Sequence, residues 1–501
     1  MDADVIVVGA GPTGLTVAGE LAMAGVRVLV LERRVRPVES RAGTILPRVL
    51  ELLDARGLAT TFIDRARKIR ANPLFPVHIW AGMQPVHWSH LESRFGFRLI
   101  LPQNVTEELL LDHARAWGAE IRQGMVVEAV RQDQSGVAVD ARGEDGALQT
   151  LTASYLVGAD GGRSAVRKCA GIGFDGHDTT FTGIVADLEL DYPWGDGRRM
   201  FDNEMGWITS FPFGEDVPIT RFNMVHRDRR HVRQSEPVTT EEVRQCLRDI
   251  LGRDIPFTGI RWSSRFGDTM RLADRFREGR MLIVGEATRI HYPASGVGMN
   301  FCVQDAFNLG WKLATVVRGH ASASLLDSYE AERRPVTLAL LDSVRAQCAI
   351  QFNFTPEGIA FKRMFEGTMM PMPEVNKALA LQLNGLSFPY PAPSGNHALT
   401  GARVPDIGLI VAGGETRIGE LLRGQKMLLI DLTGANAYGG IDWGAAPVRS
   451  CSGVPVLVPP ALRGVRSLLV RPDAYIAWAA TEPPSVAQAR GEVGRWLDVP
   501  A

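Results

Sequence analysis

The order of apolar and glycine-rich stretches at the start of the chain predicts a nucleotide-binding unit. The apolar run Val5–Val8 leads into Gly9-Ala-Gly-Pro-Thr-Gly14, a helix-like segment follows, and a second apolar run ends at Glu32. Strand, glycine turn, helix, strand and acid is the order of a βαβ unit that binds an adenine dinucleotide, with the diphosphate at the helix N-terminus. The alternative is a glycine-rich turn in an unrelated α/β domain.

Two later apolar runs also end in glycine and an acid. One run ends in Asp160-Gly161 and the other in Gly285-Glu286. Because ligands bind at the carboxyl ends of strands in open α/β sheets, these turns are candidate cofactor contacts. Residues 291–300 then contain a glycine turn that opens a helix, and its backbone N–H groups form a second candidate site for an anion or a carbonyl oxygen.

The spacing of apolar positions also divides the chain into domains. Residues 179–258 are rich in strand-like alternation, which predicts an antiparallel sheet inserted into the nucleotide-binding domain as the substrate domain. The nucleotide-binding domain then comprises residues 1–178 and 259–370. Residues 371–397 contain several prolines and are predicted to form a linker, and residues 398–501 repeat an α/β pattern that predicts a C-terminal domain. The fold class is therefore α/β with an α+β insert.

Two segments have a less decisive pattern. Residues 72–101 interleave aromatic and histidine side chains without helical period, which is compatible with an aromatic substrate pocket or with a hairpin that packs on the core. A helical pattern from Ala321 to about Phe352 contains Pro335, which we expect to kink or end the helix.

Composition excludes several classes of protein. The 501 residues carry a net charge of −1, which gives no electrostatic reason to expect nucleic acid or an anionic membrane as a partner. The five cysteines are scattered without a C-x-x-C motif, which argues against a disulfide framework or a metal site and for a reducing, cytoplasmic location. No apolar run approaches the ~20 residues of a membrane helix.

Three motifs together resemble one enzyme family. The glycine turn 9–14, Asp160-Gly161, and the segment from Gly285-Glu286 through Pro293 to Asn300 are similar to the group A flavoprotein aromatic hydroxylases, whose prototype is para-hydroxybenzoate hydroxylase. Further similarities, including Leu468-Leu-Val-Arg-Pro-Asp-Ala-Tyr-Ile-Ala-Trp478, point to the polyketide-tailoring members that act on angucycline and tetracycline intermediates. The resemblance covers essentially the whole chain.

The resemblance implies a fold and a reaction. It implies a Rossmann-like FAD-binding domain and a thioredoxin-like C-terminal domain without redox cysteines. It also implies non-covalent FAD, NAD(P)H as transient co-substrate, and O2, which forms a flavin C4a-hydroperoxide that hydroxylates a polycyclic aromatic polyketide. The expected partner is that small molecule, and the expected state is a monomer or a homodimer.

The resemblance also assigns roles to residues of this chain. Glu32 is expected to hold the adenosine ribose, Arg41 and Gln103 to lie near the diphosphate and ribityl chain, and Pro293 to lie near the flavin ring. The backbone N–H groups of residues 298–300 are expected to face its pyrimidine edge. The full set of expected cofactor contacts is Gly9, Gly11, Pro12, Thr13, Gly14, Glu32, Arg33, Arg41, Gln103, Val126, Asp160, Gly161, Gly285, Glu286, Pro293, Gly298, Met299 and Asn300. The candidate catalytic residues are Arg48, Trp80, Arg221 and Pro293, with His78, Phe222 and His226 as further pocket candidates, each of which could instead be structural.

The chain departs from the family pattern at one cofactor face. Glu286 replaces the usual Asp, Arg289 replaces a common His, and Val297 replaces a Gln. These changes mean either altered chemistry or compensated drift. Besides hydroxylation, two hypotheses stay open: Baeyer–Villiger insertion, epoxidation or rearrangement on the same scaffold, and a flavin-binding partner that does not oxygenate.

Overall fold

A six-stranded, mainly parallel sheet lies at the centre of the nucleotide-binding part of the chain. The computed structural model describes residues 1–35, 42–191, 194–195, 199–212, 219–393, 395–482 and 484–499. The strands lie in the order Arg277–Glu278, Met281–Ile283, Tyr155–Gly158, Val5–Val8, Val28–Glu32 and Glu120–Gln123. The central strands are buried along their whole length, as expected for a parallel sheet that is covered on both faces.

The helices of the described residues surround this sheet and extend beyond it. They are Pro12–Met23, Pro47–Asp54, Ala59–Ile69, Gln103–Ala116, Ala165–Cys169, Thr240–Leu251, Gly298–Val317, Asp327–Gln351, Pro356–Met364, Pro373–Leu383, Ile418–Leu421 and Val486–Gly494. Helix Gly298–Val317 packs against helix Pro12–Met23. The two helices that open at the predicted cofactor motifs are therefore neighbours.

A five-stranded antiparallel sheet forms the insert. Its strands lie in the order Arg199–Asn203, Gly206–Pro212, Ile219–His226, Thr182–Leu190 and Phe257–Gly267. Helix Thr240–Leu251 covers one face through a shared apolar cluster. The sheet extends past the expected boundary at residue 258, because the last strand pairs with Thr182–Leu190 as far as Gly267.

Smaller sheets complete the part of the chain before residue 370. They are the hairpin Val77–Trp80 with Met83–His87; Thr44–Ile45, Arg98–Ile100 and Leu74–Phe75; Val126–Gln132, Val137–Arg142 and Leu148–Ala153; and Phe174–His177, Met270–Ala273 and Arg289–Ile290. Of the two interpretations of residues 72–101, the structure therefore has the hairpin.

Of the two expected effects of Pro335, an end of the helix is wrong, because helix Asp327–Gln351 continues through it, and a kink stays a prediction. Its buried apolar residues Val336, Leu340 and Leu341 belong to a large core cluster. This packing outweighs the ~3 kcal/mol that an interior proline costs a helix.

The segment 371–397, predicted as a linker, contains the eleven-residue helix Pro373–Leu383. Leu379, Ala380 and Leu383 lie at helical spacing and are buried in the core cluster that also contains Trp80. The segment therefore packs on the preceding domain instead of merely spanning a gap.

Two sheets form the part of the chain after residue 398. One consists of Gly408–Val411, Gly414–Arg417 and Val454–Pro455, and the other of Val448–Ser452, Met427–Asp431, Ser467–Val470 and Ile476–Ala480. The second sheet is mixed, with one parallel pair of strands. The thioredoxin-like fold of this region stays a prediction.

A buried ionic network joins this C-terminal region to the helices beside the cofactor motifs. Arg471 donates to both carboxylate oxygens of Glu332 at 2.5 and 2.8 Å and also pairs with Asp473. Lys312 donates to Glu332 at 2.7 Å. Burial raises the pKa of Glu332, but Arg471 and Lys312 outweigh it and lower that pKa to about 2. The Glu332 carboxylate is therefore ionised in the interior.

Candidate functional site

The three glycines of the first turn occupy different environments. Gly9 has a φ of 103°, and a Cβ there would lie 2.5 Å from the carbonyl oxygen of Ala159. A Cβ on Gly14 would lie 1.9 Å from the carbonyl oxygen of Gly9. A Cβ on Gly11 would meet no described atom within 4 Å. The space before helix Pro12–Met23 is therefore open at Gly11 and closed at the other two, which fits a diphosphate at the helix N-terminus.

Glu32 lies where the second strand ends and is 6% exposed. One carboxylate oxygen accepts from the backbone N–H of Ala10 at 2.6 Å, and the other accepts from the backbone and side chain of Arg34 at 2.9 Å. Burial raises the pKa of Glu32, but these hydrogen bonds outweigh it and lower that pKa. An ionised carboxylate therefore stands beside the glycine turn, and its contact with a ribose stays a prediction.

The second acidic motif is fixed by its own turn. Asp160 accepts from the hydroxyl of Ser164 at 2.5 Å and from the backbone N–H of Ala165 at 2.6 Å, and Ser164 caps the following helix by accepting from the N–H of Arg167. Gly161 has a φ of 79°. The carboxylate of Glu286 lies 3.9 Å from the position that a Cβ on Gly161 would take. The structure thus brings two predicted motifs, far apart in sequence, to one edge of the sheet.

Gly285 joins this edge to the glycine turn. Its φ is 66°, and a Cβ there would lie 2.9 Å from the side chain of Thr13 and 3.2 Å from Cβ of Cys302. Only a glycine leaves room for these two side chains. The Glu286 side chain next to it is exposed.

The start of helix Gly298–Val317 offers two backbone donors. The N–H groups of Gly298 and Met299 make no hydrogen bond with any residue that the structure describes. The N–H of Asn300 was expected to face the flavin, but it donates to the carbonyl of Val297 at 3.0 Å and is therefore already used. The buried Asn300 side chain instead accepts from the N–H of Leu46 at 2.7 Å and donates to the carbonyl of Thr44 at 3.0 Å. These bonds fix the helix start to strand Thr44–Ile45.

The loop that contains Pro293 is held from two sides. Pro293 is exposed and precedes Ser295, which has a φ of 51°. The Ser295 carbonyl accepts from His78 at 2.8 Å, and its hydroxyl donates to Gln347 at 2.7 Å. His78 therefore positions this loop, and the predicted contact of Pro293 with the flavin ring stays a prediction.

His291 is a site residue that sequence reasoning did not single out. Its ring lies 3.6 Å from the position of a Cβ on Gly298, and its Nδ1 donates to the carbonyl of Tyr292 at 2.6 Å. Burial lowers its pKa to about 4. A neutral imidazole therefore stands beside the two backbone donors. A histidine two residues before Pro293 was the available signal.

We expect His291 to make the stability of the FAD-free protein depend on pH. Because the folded pKa is about 4 and the ordinary value is 6.5, the unfolded chain binds more protons between these values, and stability falls as the pH is lowered through this range. At pH 5 the cost is about 2 kcal/mol relative to pH 7.5. Between pH 7.5 and pH 5, urea unfolding should show that His291→Gln loses less free energy of unfolding than wild type, by about 2 kcal/mol. His87→Gln, at an exposed histidine, is the control. If the free energy of unfolding of His291→Gln depends on pH as that of wild type does, His291 is not the group responsible.

The remaining predicted cofactor residues are Gln103, Arg33, Val126 and Arg41. Gln103 donates to Glu107 at 2.9 Å and accepts from the backbone N–H of Ala42 at 3.3 Å. The side chains of Arg33 and Val126 are exposed. Arg41 lies outside the described residues. The roles of all four in cofactor binding stay predictions.

The two faces of the inserted sheet differ in chemistry. Phe222 and Met224 pack against helix Thr240–Leu251, and His226 pairs with Asp249 of that helix at 3.1 Å. Phe222 and His226 therefore belong to the outer face and not to a pocket. Since successive side chains alternate, Arg221, Asn223 and Val225 lie on the opposite, inner face.

The inner face is turned towards the loop 291–300. Val225 and Trp207 share an apolar cluster with Tyr292 and Val297. Farther along the strands, Asn223 and Trp262 are only partly buried. The inner face is thus closed beside Tyr292 and more open at its other end.

Arg221 lies on this more open part as one half of a buried ion pair. Its Nε and Nη2 each donate to Asp187 at 2.7 Å, and its guanidinium lies 5.2 Å from the centre of the Trp262 ring. Thr209 lies opposite Asn223, and its buried hydroxyl makes no hydrogen bond with a described residue. The inner face therefore combines an aromatic ring, a neutralised ion pair and an unused hydroxyl.

Arg48 does not face this surface. Its guanidinium donates to Glu51 at 3.1 Å and to the carbonyl of Asp473 at 2.8 Å, and it lies 4.9 Å from the centre of the Tyr475 ring. These contacts hold the C-terminal region, and the catalytic role of Arg48 stays a prediction.

Trp80 is also committed to packing. It is 6% exposed, donates to Gln382 at 3.1 Å, and stacks on Phe365 at 5.5 Å between ring centres. These contacts fit the structural role that was the alternative for Trp80, and a direct contact with substrate stays a prediction.

No helix among the described residues is long and apolar enough to cross a membrane. Within the same residues, no group of histidine, cysteine and acidic side chains could hold a metal ion.

Comparison with known proteins identifies the family. Residues 2–344 match the FAD binding domain family, and residues 397–500 match the aromatic-ring hydroxylase C-terminal family. A 12-dehydrotetracycline 5-monooxygenase/anhydrotetracycline 6-monooxygenase of Streptomyces rimosus is 38% identical, over 99% of each chain. A dialkyldecalin synthase of Streptomyces rugosporus is 33% identical, over 96% of this chain and 97% of the relative. The solved structure of OxyS anhydrotetracycline hydroxylase from Streptomyces rimosus has a TM-score of 0.87 at 36% identity, and all of both chains is covered. The chain therefore belongs to the FAD-dependent aromatic-ring monooxygenases.

Proposed function

We propose that this monooxygenase hydroxylates a polycyclic aromatic polyketide that binds against the inner face of the inserted sheet. The observation that carries the proposal is the composition of that face. Trp262 and Asn223 are partly exposed there and offer a ring for stacking and an amide for hydrogen bonding, and beside Asn223 the buried Thr209 hydroxyl has no described partner. The relatives named for tetracycline oxidation support the substrate class.

The residues present fit FAD: Gly11 leaves open space at the helix N-terminus that would take the diphosphate, and the N–H groups of Gly298 and Met299, which have no described partner, would donate to the flavin. Bound FAD supplies oxygen activation after reduction by NAD(P)H. The chain's own residues position the ring system and exclude water. Neutral His291 beside the two donors adds no charge of its own there.

Arg221 has a different role from the one expected for a free cation. Because Asp187 neutralises it, the pair cannot strongly favour a phenolate over a phenol. We therefore propose that Arg221 stiffens the floor of the pocket and supports Trp262. Orientation of the substrate then depends on Thr209 and Asn223.

The purified FAD-loaded enzyme tests the reaction. We expect one member of a panel of tetracyclic and angucycline-like phenols to accelerate flavin bleaching by NADPH or NADH. Mass spectrometry under 18O2 should then show one labelled oxygen atom in the product. NAD(P)H oxidation without labelled product for every member of the panel would overturn the proposal.

Replacing Thr209 by Val should raise KM for that substrate several-fold, by ~3–10-fold for one lost hydrogen bond. The FAD-free protein should be at least as stable as wild type, since the change removes a buried hydroxyl with no described partner. Thr220→Val is the matched control, because Thr220 lies on the outer face of the same sheet, and its KM should equal that of wild type. If Thr209→Val has the same KM as Thr220→Val and wild type, Thr209 does not belong to the substrate site.

A second candidate function is ring formation or rearrangement without net oxygen transfer. The dialkyldecalin synthase relative favours it, as do Glu286 and Val297 at the cofactor face. Conversion of a substrate without NAD(P)H consumption and without 18O would support it. Product connectivity separates both outcomes from Baeyer–Villiger insertion or epoxidation.

A further inference from the structure

A buried cluster behind the cofactor site contains two cations for one anion. Arg289 donates to one oxygen of Asp305 at 2.5 Å, and Arg333 donates to the other at 2.7 Å. All three side chains are at most 1% exposed. The cluster therefore carries one positive charge in excess.

The buried groups that face the cluster do not neutralise this charge, and the carboxylate of Glu286, which also acts on Cys302, is exposed to solvent that screens it. Burial raises the pKa of Cys302 to about 12 and holds the pKa of Tyr329 well above its ordinary value, so both are neutral. Tyr390 accepts from Arg333 at 3.2 Å and is likewise neutral. The adjacent Glu332 is paired with Arg471 and Lys312.

The cluster also has unused hydrogen-bonding capacity. The Nε and Nη2 of Arg289 and the Nη2 of Arg333 are buried and make no hydrogen bond with a described residue. Arg333 keeps Asp305 paired even without Arg289. Arg289 is thus the member of the cluster that Asp305 does not require.

The position of the cluster connects it to the cofactor. Arg289 follows the Gly285-Glu286 turn by three residues, and Asp305 lies two turns along the helix that starts at Gly298. At 1.5 Å per residue this places the Asp305 backbone about 10 Å from the helix start. Because Arg289 is paired with Asp305, this length sets the scale of its separation from a ligand at the helix start. A unit charge about 10 Å away, in a medium of effective dielectric about 20, changes an equilibrium between neutral and anionic forms by about tenfold.

We propose that Arg289 is an electrostatic tuning residue, whose buried excess charge favours the anionic forms of the bound FAD. The inference rests on FAD binding at the site described above and not on the identity of the substrate.

Sulfite addition to the oxidised flavin tests the proposal, because sulfite forms an anionic flavin adduct and needs no substrate. In Arg289→Gln we expect sulfite to bind about tenfold more weakly and the flavin midpoint potential to become more negative. Arg289→Lys, which keeps the charge, should retain most of the wild-type sulfite affinity. The melting temperature of FAD-free Arg289→Gln should equal or exceed that of wild type, since a buried cation with unused donors is removed.

Arg265→Gln is the matched control. Arg265 is a buried arginine paired with Glu242 in the inserted domain, so its loss should destabilise the protein without changing sulfite affinity. Unchanged sulfite affinity and potential in Arg289→Gln, with a lowered melting temperature, would show a structural role only and overturn the proposal. If Arg289→Gln does not fold, equal sulfite affinity in Arg289→His and Arg289→Lys would overturn it.

Discussion

Gly11→Ala should bind FAD roughly 5- to 150-fold more weakly than wild type and yet fold with unchanged stability. The φ of −75° and ψ of 179° at Gly11 are accessible to alanine, and a Cβ there meets no described atom within 4 Å. The methyl group would therefore occupy only the space where the diphosphate approaches the backbone, and an overpacked contact costs about 1–3 kcal/mol. Flavin fluorescence titration of the FAD-free protein gives the affinity, and thermal unfolding gives the stability.

Gly14→Ala is the control for this prediction. Its Cβ would lie 1.9 Å from the Gly9 carbonyl oxygen, so the variant should lose stability even without FAD. If Gly11→Ala retained wild-type affinity, the diphosphate would have to lie elsewhere. If it were destabilised like Gly14→Ala, the open space at Gly11 would not exist in solution.

Arg471→Met should lower the free energy of unfolding by about 3–5 kcal/mol. The side chain is 2% exposed and pairs with two buried carboxylates, those of Glu332 and Asp473. Without it, only Lys312 remains to compensate both, and an uncompensated buried charge is strongly destabilising. Denaturant unfolding monitored by tryptophan fluorescence measures the loss.

Removal of the Asp473 charge, which has lost its partner in Arg471→Met, should restore part of the lost stability. Arg471→Met combined with Asp473→Asn leaves Glu332 paired with Lys312, and we expect it to regain at least half of the lost free energy. Additive losses in the double variant would mean that Arg471 acts through packing alone, since its guanidinium also lies 4.9 Å from the centre of the Trp496 ring.

The sequence predicted the parts of the molecule that follow from local patterns. The βαβ unit around Gly9 and Gly14, the inserted antiparallel sheet, and the sheet-edge motifs at Asp160 and Glu286 all have short-range signatures in glycine spacing and apolar runs. The comparisons confirm the enzyme family that these motifs suggested.

Side-chain direction was much less predictable. Arg48 and Arg221 were both predicted as catalytic residues. In the fold, Arg48 contacts Asp473 of the C-terminal region and Arg221 contacts Asp187 of the inserted sheet. Their partners lie 425 and 34 residues away. Such pairings depend on tertiary packing that no local pattern encodes, and the same reason explains the intact helix at Pro335.

Two paired strands of the central sheet are far apart in sequence, and this has a consequence for synthesis of the protein on the ribosome. Strand Met281–Ile283 pairs with Tyr155–Gly158, but the inserted domain separates them by about 120 residues. At about 5–20 residues per second, the growing chain exposes the unpaired edge of Tyr155–Gly158 for roughly 6–25 seconds. During that interval the unpaired edge is open to association with other nascent chains. Slower translation of residues 159–280 should therefore lower the yield of active enzyme more than slower translation after residue 320.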